Sequence, residues 1–329
     1  MILLAPLLEA FFTERLMEQR SASPHTVAAY RDTFRLLLAF IRQHLRTAPS
    51  AVALQDIDVP LVTAFLGHLE KERGNTVRTR NARLAAIHSF FAYAATREPG
   101  AAGLIQRVLA IPHKRYGRGT ISFLSAAEAD ALLAAPDRNT YIGRRDHALL
   151  LVALQVGLRV SELTQLRSDD VHLGTGPHVR CTGKGRKERC TPLLPATVAV
   201  LREWIRASHI RTSDPLFPTR RGAHLSRDAV ERLIVKYARL SAQTQPTLRG
   251  KRISPHVLRH TCAMQLLRAG VDTSVIALWL GHESVETTQV YLHADLSLKE
   301  RAIAKTAPPG TGARRYRPDD RLLAFLESL

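Results

Sequence analysis

The chain has 329 residues, 45% of them hydrophobic and 6% aromatic, and a formal net charge of +18 at pH 7. This length favours two domains, each able to form its own core, and no apolar run reaches the ~20 residues that a membrane-spanning helix needs. The basic excess is spread along the chain rather than gathered in one tail. It therefore favours a surface that binds a polyanion, with nucleic acid as the leading candidate, although a generally basic proteome would also explain the charge.

Residues 1–106 carry a succession of amphipathic helical patterns. The first segment, MILLAPLLEAFF, lacks a basic start and runs into charged residues, so it predicts a helix rather than a signal peptide. Ser23 and Pro24 supply the cap and first turn of a second helix. Apolar residues at helical spacing predict the helices that follow the first one, over 23–45, 59–73, 76–95 and near 101–110. The whole region is therefore predicted to be helical.

Basic residues are concentrated late in this region and in the segment that follows it. The helix over 76–95 has three arginines ahead of its apolar face. The stretch PHKRYGRGT (112–120) has no apolar periodicity and is typical of a basic linker. These residues are candidates for contacts with a phosphate backbone, although a solvated helix face explains the arginines equally well: Arg78, Arg80, Arg83, Lys114 and Arg115.

The rest of the chain predicts more helices around one small β element. SAAE (125–128) is a capping box, and the helix over 140–156 ends at Gly157. The stretch HVRCTGKGRKERCTPL (178–193) predicts a hairpin with GKGR at its tip. The fold class is therefore mainly α with a small β-sheet or hairpin element, and the later helices are predicted near 195–208, 226–242, 254–269, 272–280 and 285–294.

Neither the cysteines nor the histidines predict a metal site. Cys181, Cys190 and Cys262 lack metal-binding spacing, and their odd number favours a reducing compartment, although the first two could face each other across the hairpin. His256 and His260 are four residues apart, as in some zinc sites. No glutamate lies between them and no third ligand is identifiable, so neither metal nor cofactor is expected.

Six polar residues occupy unusual places on otherwise apolar elements: Arg159, Lys184, His256, Arg259, His282 and Tyr291. Arginine can bind two phosphate oxygens at once and stabilise the charge on pentavalent phosphorus. Lysine can protonate a leaving alkoxide, histidine can move a proton, and a phenol can attack phosphorus. Each residue also has a structural explanation, since an isolated tyrosine is usually a packing residue and an isolated arginine a surface charge. Lys184 gains weight because the chain has only eight lysines among 47 basic residues.

The segments GLRVSEL, GKGRKER, PHVLRH and LGHESVETTQVY occur in the order of the catalytic boxes of tyrosine recombinases. The chain thus resembles the family of phage integrases and Xer-type recombinases over most of 125–294, and its helical N-terminal region resembles the core-binding domain of that family. The resemblance, together with the composition of the two linkers, predicts four parts: a helical core-binding domain (1–111), a basic linker (112–122), a mixed α/β catalytic domain (123–306), and a C-terminal linker with a short helix (307–329).

The resemblance also implies the chemistry of a site-specific DNA recombinase. Tyr291 would attack a DNA phosphate and form a 3′-phosphotyrosyl link, and Lys184 would protonate the leaving oxygen. Arg159, Arg259 and the histidines at 256 and 282 would hold the phosphate and assist proton movement, while His260 would support the site or the fold. Four protomers on two double-stranded DNA sites are expected. A related recombinase or accessory proteins are possible further partners. The expected place of action is the bacterial cytoplasm, at the nucleoid and not at a membrane.

Two other functions stay open at this stage. A type IB topoisomerase shares the tyrosine chemistry, but the H-x-x-R and LGH boxes and the separate helical domain argue against it. A non-catalytic DNA-binding regulator would be favoured only if the six residues did not converge in space. Beyond the linker APPGTGARRYRP, the segment DDRLLAFLESL predicts a short amphipathic helix that docks on a neighbouring protomer, with folding back on its own domain as the alternative.

Overall fold

The computed structural model describes residues 2–117, 121–183, 188–281, 286–289 and 291. Contacts within the chain define two compact units, Met1–Gly119 and Thr120–Leu329. Within the described ranges, no helix combines the length and the apolar character that crossing a membrane requires.

The first unit consists of helices whose apolar faces share one core. Each long helix begins at a capping side chain: Ser23, Asp58 and Thr76 accept hydrogen bonds from amides three residues further on. Phe11 and Phe90 are fully buried in this core and stack edge to face. The predicted all-helical region is confirmed, with α1 (Leu4–Ala10) continuing as a wider π-type helix (Phe11–Gln19), then α2 (Pro24–Leu45), α3 (Val59–Lys71), α4 (Val77–Arg97) and α5 (Ala102–Leu109).

The second unit contains the longer run of helices around a larger core. The predicted capping box is present: Ser125 accepts from the amide of Glu128, whose carboxylate accepts from the amide of Ser125. Trp204, fully buried, donates its indole N–H to the carbonyl of Leu216. The helices are α6 (Ala126–Ala134), α7 (Tyr141–Val156), α8 (Val160–Gln165), α9 (Pro195–Ala207), α10 (Arg227–Ser241), α11 (Pro255–Arg268), α12 (Thr273–Leu280) and α13 (Glu286–Gln289).

The predicted hairpin belongs to an antiparallel sheet of order β1-β2-β3, whose strands are β1 (Val171–His172), β2 (His178–Thr182) and β3 (Glu188–Pro192). The sequence did not predict β1, because two residues are too few to show an alternation. Cys181 pairs with Arg189, and Cys190 pairs with Arg180. The two cysteines are therefore one register position apart on opposite faces, one buried and one exposed, and both are free thiols. The interpretation that they face each other is wrong.

Helix α11 connects the main core of the second unit to a smaller one. Val257 and Leu258 face the main core, whereas Cys262, Met264 and Leu267 pack with apolar residues of α12 and with Tyr291. The helix packs against α7 on one side and α12 on another. Residues from its first two turns thus lie near the end of α7 and the end of α12. The predicted helix over 285–294 is described only for 286–289, and the predicted C-terminal helix lies outside the described residues.

Candidate active site

Arg159 lies at a sharp turn between α7 and α8. Gly157 ends α7 with a φ of +67°, and a Cβ there would lie 2.7 Å from Leu280 Cδ2, so both conformation and space require glycine. Two residues later, Arg159 is the N-cap of α8. Its Nη2 donates to the carbonyl of Gly281 at 2.9 Å, and its Nη1 donates to Glu162 Oε1 at 2.9 Å. The turn thus directs this guanidinium to the end of α12.

Arg259 reaches the same place from α11. Its side chain is buried, with Nη1 donating to the carbonyl of Gly157 at 2.7 Å and Nη2 to that of Leu280 at 2.6 Å. Burial, and then the positive charge of Arg159, lower the pKa of Arg259 to about 10, so the guanidinium remains charged at neutral pH. The two arginines hold the adjacent carbonyls of Leu280 and Gly281, which brings both positive charges together.

A carboxylate and a third arginine complete this charged cluster. Glu162 accepts two hydrogen bonds from Arg159, one from its amide and one from its side chain. It also accepts from Arg189 Nη2 at 2.7 Å and Nη1 at 3.1 Å. Burial by itself would raise the pKa of Glu162, but the hydrogen bonds from Arg189 and Arg159 lower it. Two guanidiniums therefore bind the one carboxylate and that of Arg259 lies beside Arg159, which leaves a net positive charge that suits a phosphate.

Arg189 joins three elements of the site. It lies on β3, binds the carboxylate on α8, and donates from Nε to the carbonyl of Trp279 on α12 at 3.1 Å. Gly281, with a φ of +65°, accommodates it, since a Cβ there would lie 2.9 Å from Arg189 Nη1. Sequence reasoning missed both Glu162 and Arg189. The spacing of Glu162 three residues after Arg159 was the available signal, whereas Arg189 was one of several basic residues in GKGRKER.

Tyr291, from the segment after α13, contacts the helix that carries both histidines, α11. The Tyr291 side chain is only 2% exposed, and its hydroxyl lies 3.0 Å from His260 Nδ1. The ring of His256 is 6.5 Å from that of His260, and His256 is exposed. Burial raises the pKa of Tyr291 to about 12, so the phenol is protonated at neutral pH. His260 is thus in direct contact with the predicted nucleophile, a position its assignment as a supporting residue did not anticipate.

Two of the six predicted catalytic residues, Lys184 and His282, lie outside the described residues. Their neighbours in the sequence are described: Lys184 belongs to the connection between β2 and β3, and His282 directly follows Gly281. The other four are Arg159, His256, Arg259 and Tyr291. The two arginines donate to carbonyls at the end of α12, and His256 and Arg259 both lie in the first turns of α11. In the described part of the chain, no three His, Cys, Asp or Glu side chains form a metal-binding group.

The five basic residues predicted to bind DNA differ in their surroundings. Arg80 is buried and donates to Asn81 and to the carbonyl of Pro112, and Arg83 donates to Ala29 and Thr33 on α2. These two arginines contribute to packing within the first unit, and their role toward DNA stays a prediction. The other three are exposed: Arg78 (over the ring of Tyr116), Lys114 (paired with Glu70) and Arg115.

The start of the predicted linker is fixed to the first unit. Asn81 on α4 donates to the carbonyl of Lys114 at 2.8 Å and accepts from the amide of Lys114 at 3.1 Å. Lys114 Nζ also binds Glu70 on α3 at 2.6 Å. A freely mobile segment would not make this pair of backbone contacts, so the described part of the linker, 112–117, extends the surface of the first unit.

The described site has the groups for binding a phosphate and for nucleophilic attack by a phenol, and relatives of the chain point to the same class. The family model described as Phage integrase family matches residues 122–297, and that of the phage integrase N-terminal SAM-like domain matches residues 10–98. The integrase/recombinase y4rC of Sinorhizobium fredii is 57% identical over 326 residues, which cover 99% of this chain and 98% of the relative. Tyrosine recombinase XerD of Pseudomonas putida is 33% identical over 312 residues, covering 93% and 98%.

The chain therefore belongs to the phage integrase family of tyrosine recombinases, whose members cleave and rejoin DNA through a tyrosine intermediate. Solved structures with the same fold include the XerH site-specific recombinase bound to palindromic difH substrate in a post-cleavage complex. Its TM-score is 0.70 at 21% identity, covering 87% of this chain and 81% of that one. A lambda integrase dimer bound to a COC′ core site has a TM-score of 0.63 at 17% identity, covering 89% and 77%. The predicted family and fold class are confirmed.

Proposed function

We propose that this protein is a site-specific DNA recombinase whose nucleophile is Tyr291, acting on a mobile element or in an Xer-like system. The observation that carries the proposal is the convergence of Arg159 and Arg259 on the adjacent carbonyls of Leu280 and Gly281. Tyr291 contacts the same helix, α11, that carries Arg259 and His256. A bound phosphate would meet two guanidiniums and the positive end of the α11 dipole.

The proposed reaction is a reversible phosphoryl transfer. The Tyr291 oxygen attacks phosphorus, and the bond from phosphorus to the 5′ oxygen breaks, leaving a 3′-phosphotyrosyl link and a free 5′-hydroxyl. Lys184 supplies the proton for that hydroxyl, while Arg159 and Arg259 stabilise the negative charge of the pentavalent transition state. His256 and His282 hydrogen-bond the phosphate. A 5′-hydroxyl from the partner strand then reverses the steps, and the energy of the broken bond is retained without ATP.

Duplex DNA is the proposed substrate, and four protomers on two sites form the proposed assembly. The net charge of +18 supports binding to a polyanion. The first unit presents Arg78, Lys114 and Arg115 at its surface, and these are the candidates for phosphate contacts. The XerH recombinase is bound to palindromic difH substrate and the lambda integrase dimer to a COC′ core site, which supports DNA as the partner here. The proposed place of action is the bacterial cytoplasm, at the nucleoid.

The nucleophile is tested by replacing Tyr291 with phenylalanine. Tyr291→Phe removes only the attacking oxygen, so we expect nearly normal DNA binding and no covalent adduct. A nicked suicide substrate traps the adduct, which a denaturing gel detects as a protein–DNA band.

The matched control is Tyr237→Phe, since Tyr237 is also buried but binds Asp146 at 2.9 Å within the core. We expect this variant to keep forming the adduct. A persistent band with Tyr291→Phe would contradict the assignment of the nucleophile.

A further inference from the structure

Tyr291 has a direct proton partner outside the set of six catalytic residues. His260 Nδ1 lies 3.0 Å from the Tyr291 hydroxyl, within hydrogen-bond distance. The two rings meet edge to face, with centroids 5.5 Å apart at 63°. Tyr291 packs in the small core with Cys262, Met264 and Leu280, which restricts the orientations of the phenol. The contact is therefore held by packing as well as by the hydrogen bond.

The surroundings set the protonation states of both groups. Burial, followed by the charges of His256 and Arg259, lowers the pKa of His260 to about 4. Within the part of the chain that the structure describes, the titratable groups that face it are these two residues on its own helix and Tyr291 from the segment after α13. At neutral pH the imidazole is neutral and can offer a lone pair, whereas the phenol retains its proton. A negatively charged phosphate beside the pair would stabilise the imidazolium and raise its proton affinity as attack proceeds.

We propose that His260 is a further catalytic residue, the proton acceptor for Tyr291; this rests on the proposed function of Tyr291 as the nucleophile. As the Tyr291 oxygen bonds to phosphorus, its O–H bond breaks and the proton passes to His260 Nδ1. The 5′ oxygen leaves with a proton from Lys184, so each step has a donor and an acceptor. In rejoining, His260 returns the proton to the phenol oxygen. The neutral imidazole must then carry its hydrogen on Nε2.

The test uses His260→Asn, which places an amide near the position of Nδ1 and keeps a hydrogen bond without accepting a proton. Loss of a general base slows a reaction by roughly 10²-fold or more, so we expect that decrease in single-turnover adduct formation on the suicide substrate. His172→Asn, at an exposed histidine of β1, is the matched control and should cleave at the wild-type rate. Thermal melting and single-site DNA binding establish that each variant is folded.

A more acidic nucleophile separates proton transfer from positioning. Fluorinated tyrosine incorporated at position 291 loses its proton more easily. It should therefore increase the rate of adduct formation by His260→Asn at least about tenfold, and increase the rate of the protein with His260 intact much less. If the same acceleration occurs in both, or if His260→Asn cleaves as fast as wild type, His260 is not the acceptor.

Two further outcomes decide the remaining cases. If His260→Asn does not fold, fluorinated tyrosines in the otherwise unchanged protein are compared across pH. A rate that rises with pH in proportion to the phenolate fraction would then contradict assistance by His260, whereas a shallow dependence supports it. An error in the assignment of Tyr291 as the nucleophile can be distinguished from an error in the role of His260, because Tyr291→Phe would then still form the adduct.

Discussion

At the scale of single residues, the two arginines of the site are fixed by backbone carbonyls rather than by carboxylates alone. Arg259 has both Nη atoms on carbonyls, and Arg159 divides its contacts between Gly281 and Glu162. A guanidinium has five N–H donors, so these contacts fix the plane of the group and leave donors for phosphate oxygens. Lysine could not replace either arginine, since one ammonium cannot span two carbonyls and a phosphate in a fixed plane.

Lys184 gives the prediction that belongs to this scale. Lys184→Ala should cleave ordinary DNA slowly, because the leaving 5′ oxygen then lacks a proton donor, by roughly 10²-fold or more. A substrate with a bridging 5′-phosphorothiolate should recover most of the loss, since a thiolate leaves without protonation. Adduct formation on both substrates is the measurement.

Lys187→Ala is the matched control, because it removes a lysine from the same connection between β2 and β3. It should cleave both substrates like the wild type. Absence of rescue by sulfur would mean that Lys184 binds or positions the DNA and is not the acid.

At the scale of elements, Arg189 connects the sheet to the two helices that hold the site. Its contacts join β3 to Glu162 on α8 and to the carbonyl of Trp279 at the end of α12, two residues before the carbonyl that Arg159 binds. Because an uncompensated buried carboxylate is costly, removing Arg189 would free Glu162 to draw Arg159 away from its position. Arg189 is therefore expected to act on the reaction through Arg159, as a positioning residue.

A double-mutant cycle tests this connection. Arg189→Ala should reduce the rate of adduct formation by about tenfold or more while single-site DNA binding changes little. The same change should have little further effect in an Arg159→Ala background, because residues that act through one another are not additive. Additive effects would show that Arg189 contributes only to stability.

Arg180→Ala is the matched control for this cycle. Arg180 is an exposed arginine on β2 of the same sheet, 3.9 Å from Asp170, and its loss should leave the cleavage rate unchanged. Measurements are made well below the melting temperature of each variant, so that unfolding does not contribute.

At the scale of the whole molecule, two compact units share a strongly basic chain. The first unit is helical throughout its long elements, and the second contains the charged cluster of Arg159, Glu162, Arg189 and Arg259. Basic side chains are present on both, and in the first unit some are exposed and others support packing. Affinity for DNA is thus expected to depend on residues from both units, whereas cleavage depends on the second.

The C-terminal segment gives the prediction at this scale. Its spaced leucines and Phe325 form an amphipathic pattern too short to be stable alone in water, so it needs a surface to cover. If that surface belongs to a neighbouring protomer, deleting residues 319–329 should leave single-site DNA binding intact and weaken paired-site complexes and recombination. Native gels with one-site and two-site DNA are the measurement.

A pair of point variants makes the same test without deletion. Leu326→Ser removes an apolar anchor and should weaken pairing of sites, while Glu327→Gln changes its polar neighbour and should not. Unchanged pairing and strand exchange after the deletion would reject docking between protomers.

Local sequence signals predicted the long helices, some of their ends and the chemical class of the protein. Ser23 and Ser125 have local capping preferences that act within a few residues, so these two helix starts followed from the order of residues alone. Gly157 marked the end of α7 for the same reason. The boxes around Arg159, His256 and Arg259, and Tyr291 predicted phosphoryl transfer because the combination of residue types limits what they can do together.

Which charged residues support the site and which face solvent follows from long-range packing, which the sequence did not reveal. Arg189 and Glu162 are 27 positions apart, and their bond depends on how β3 packs against α8 and α12. His260 meets Tyr291 through a contact that no spacing of residues encodes. Arg83 was indistinguishable from Arg78 until packing against α2 gave it partners. Long-range contacts of this kind arise from the arrangement of whole elements, whereas caps and apolar periodicities are local.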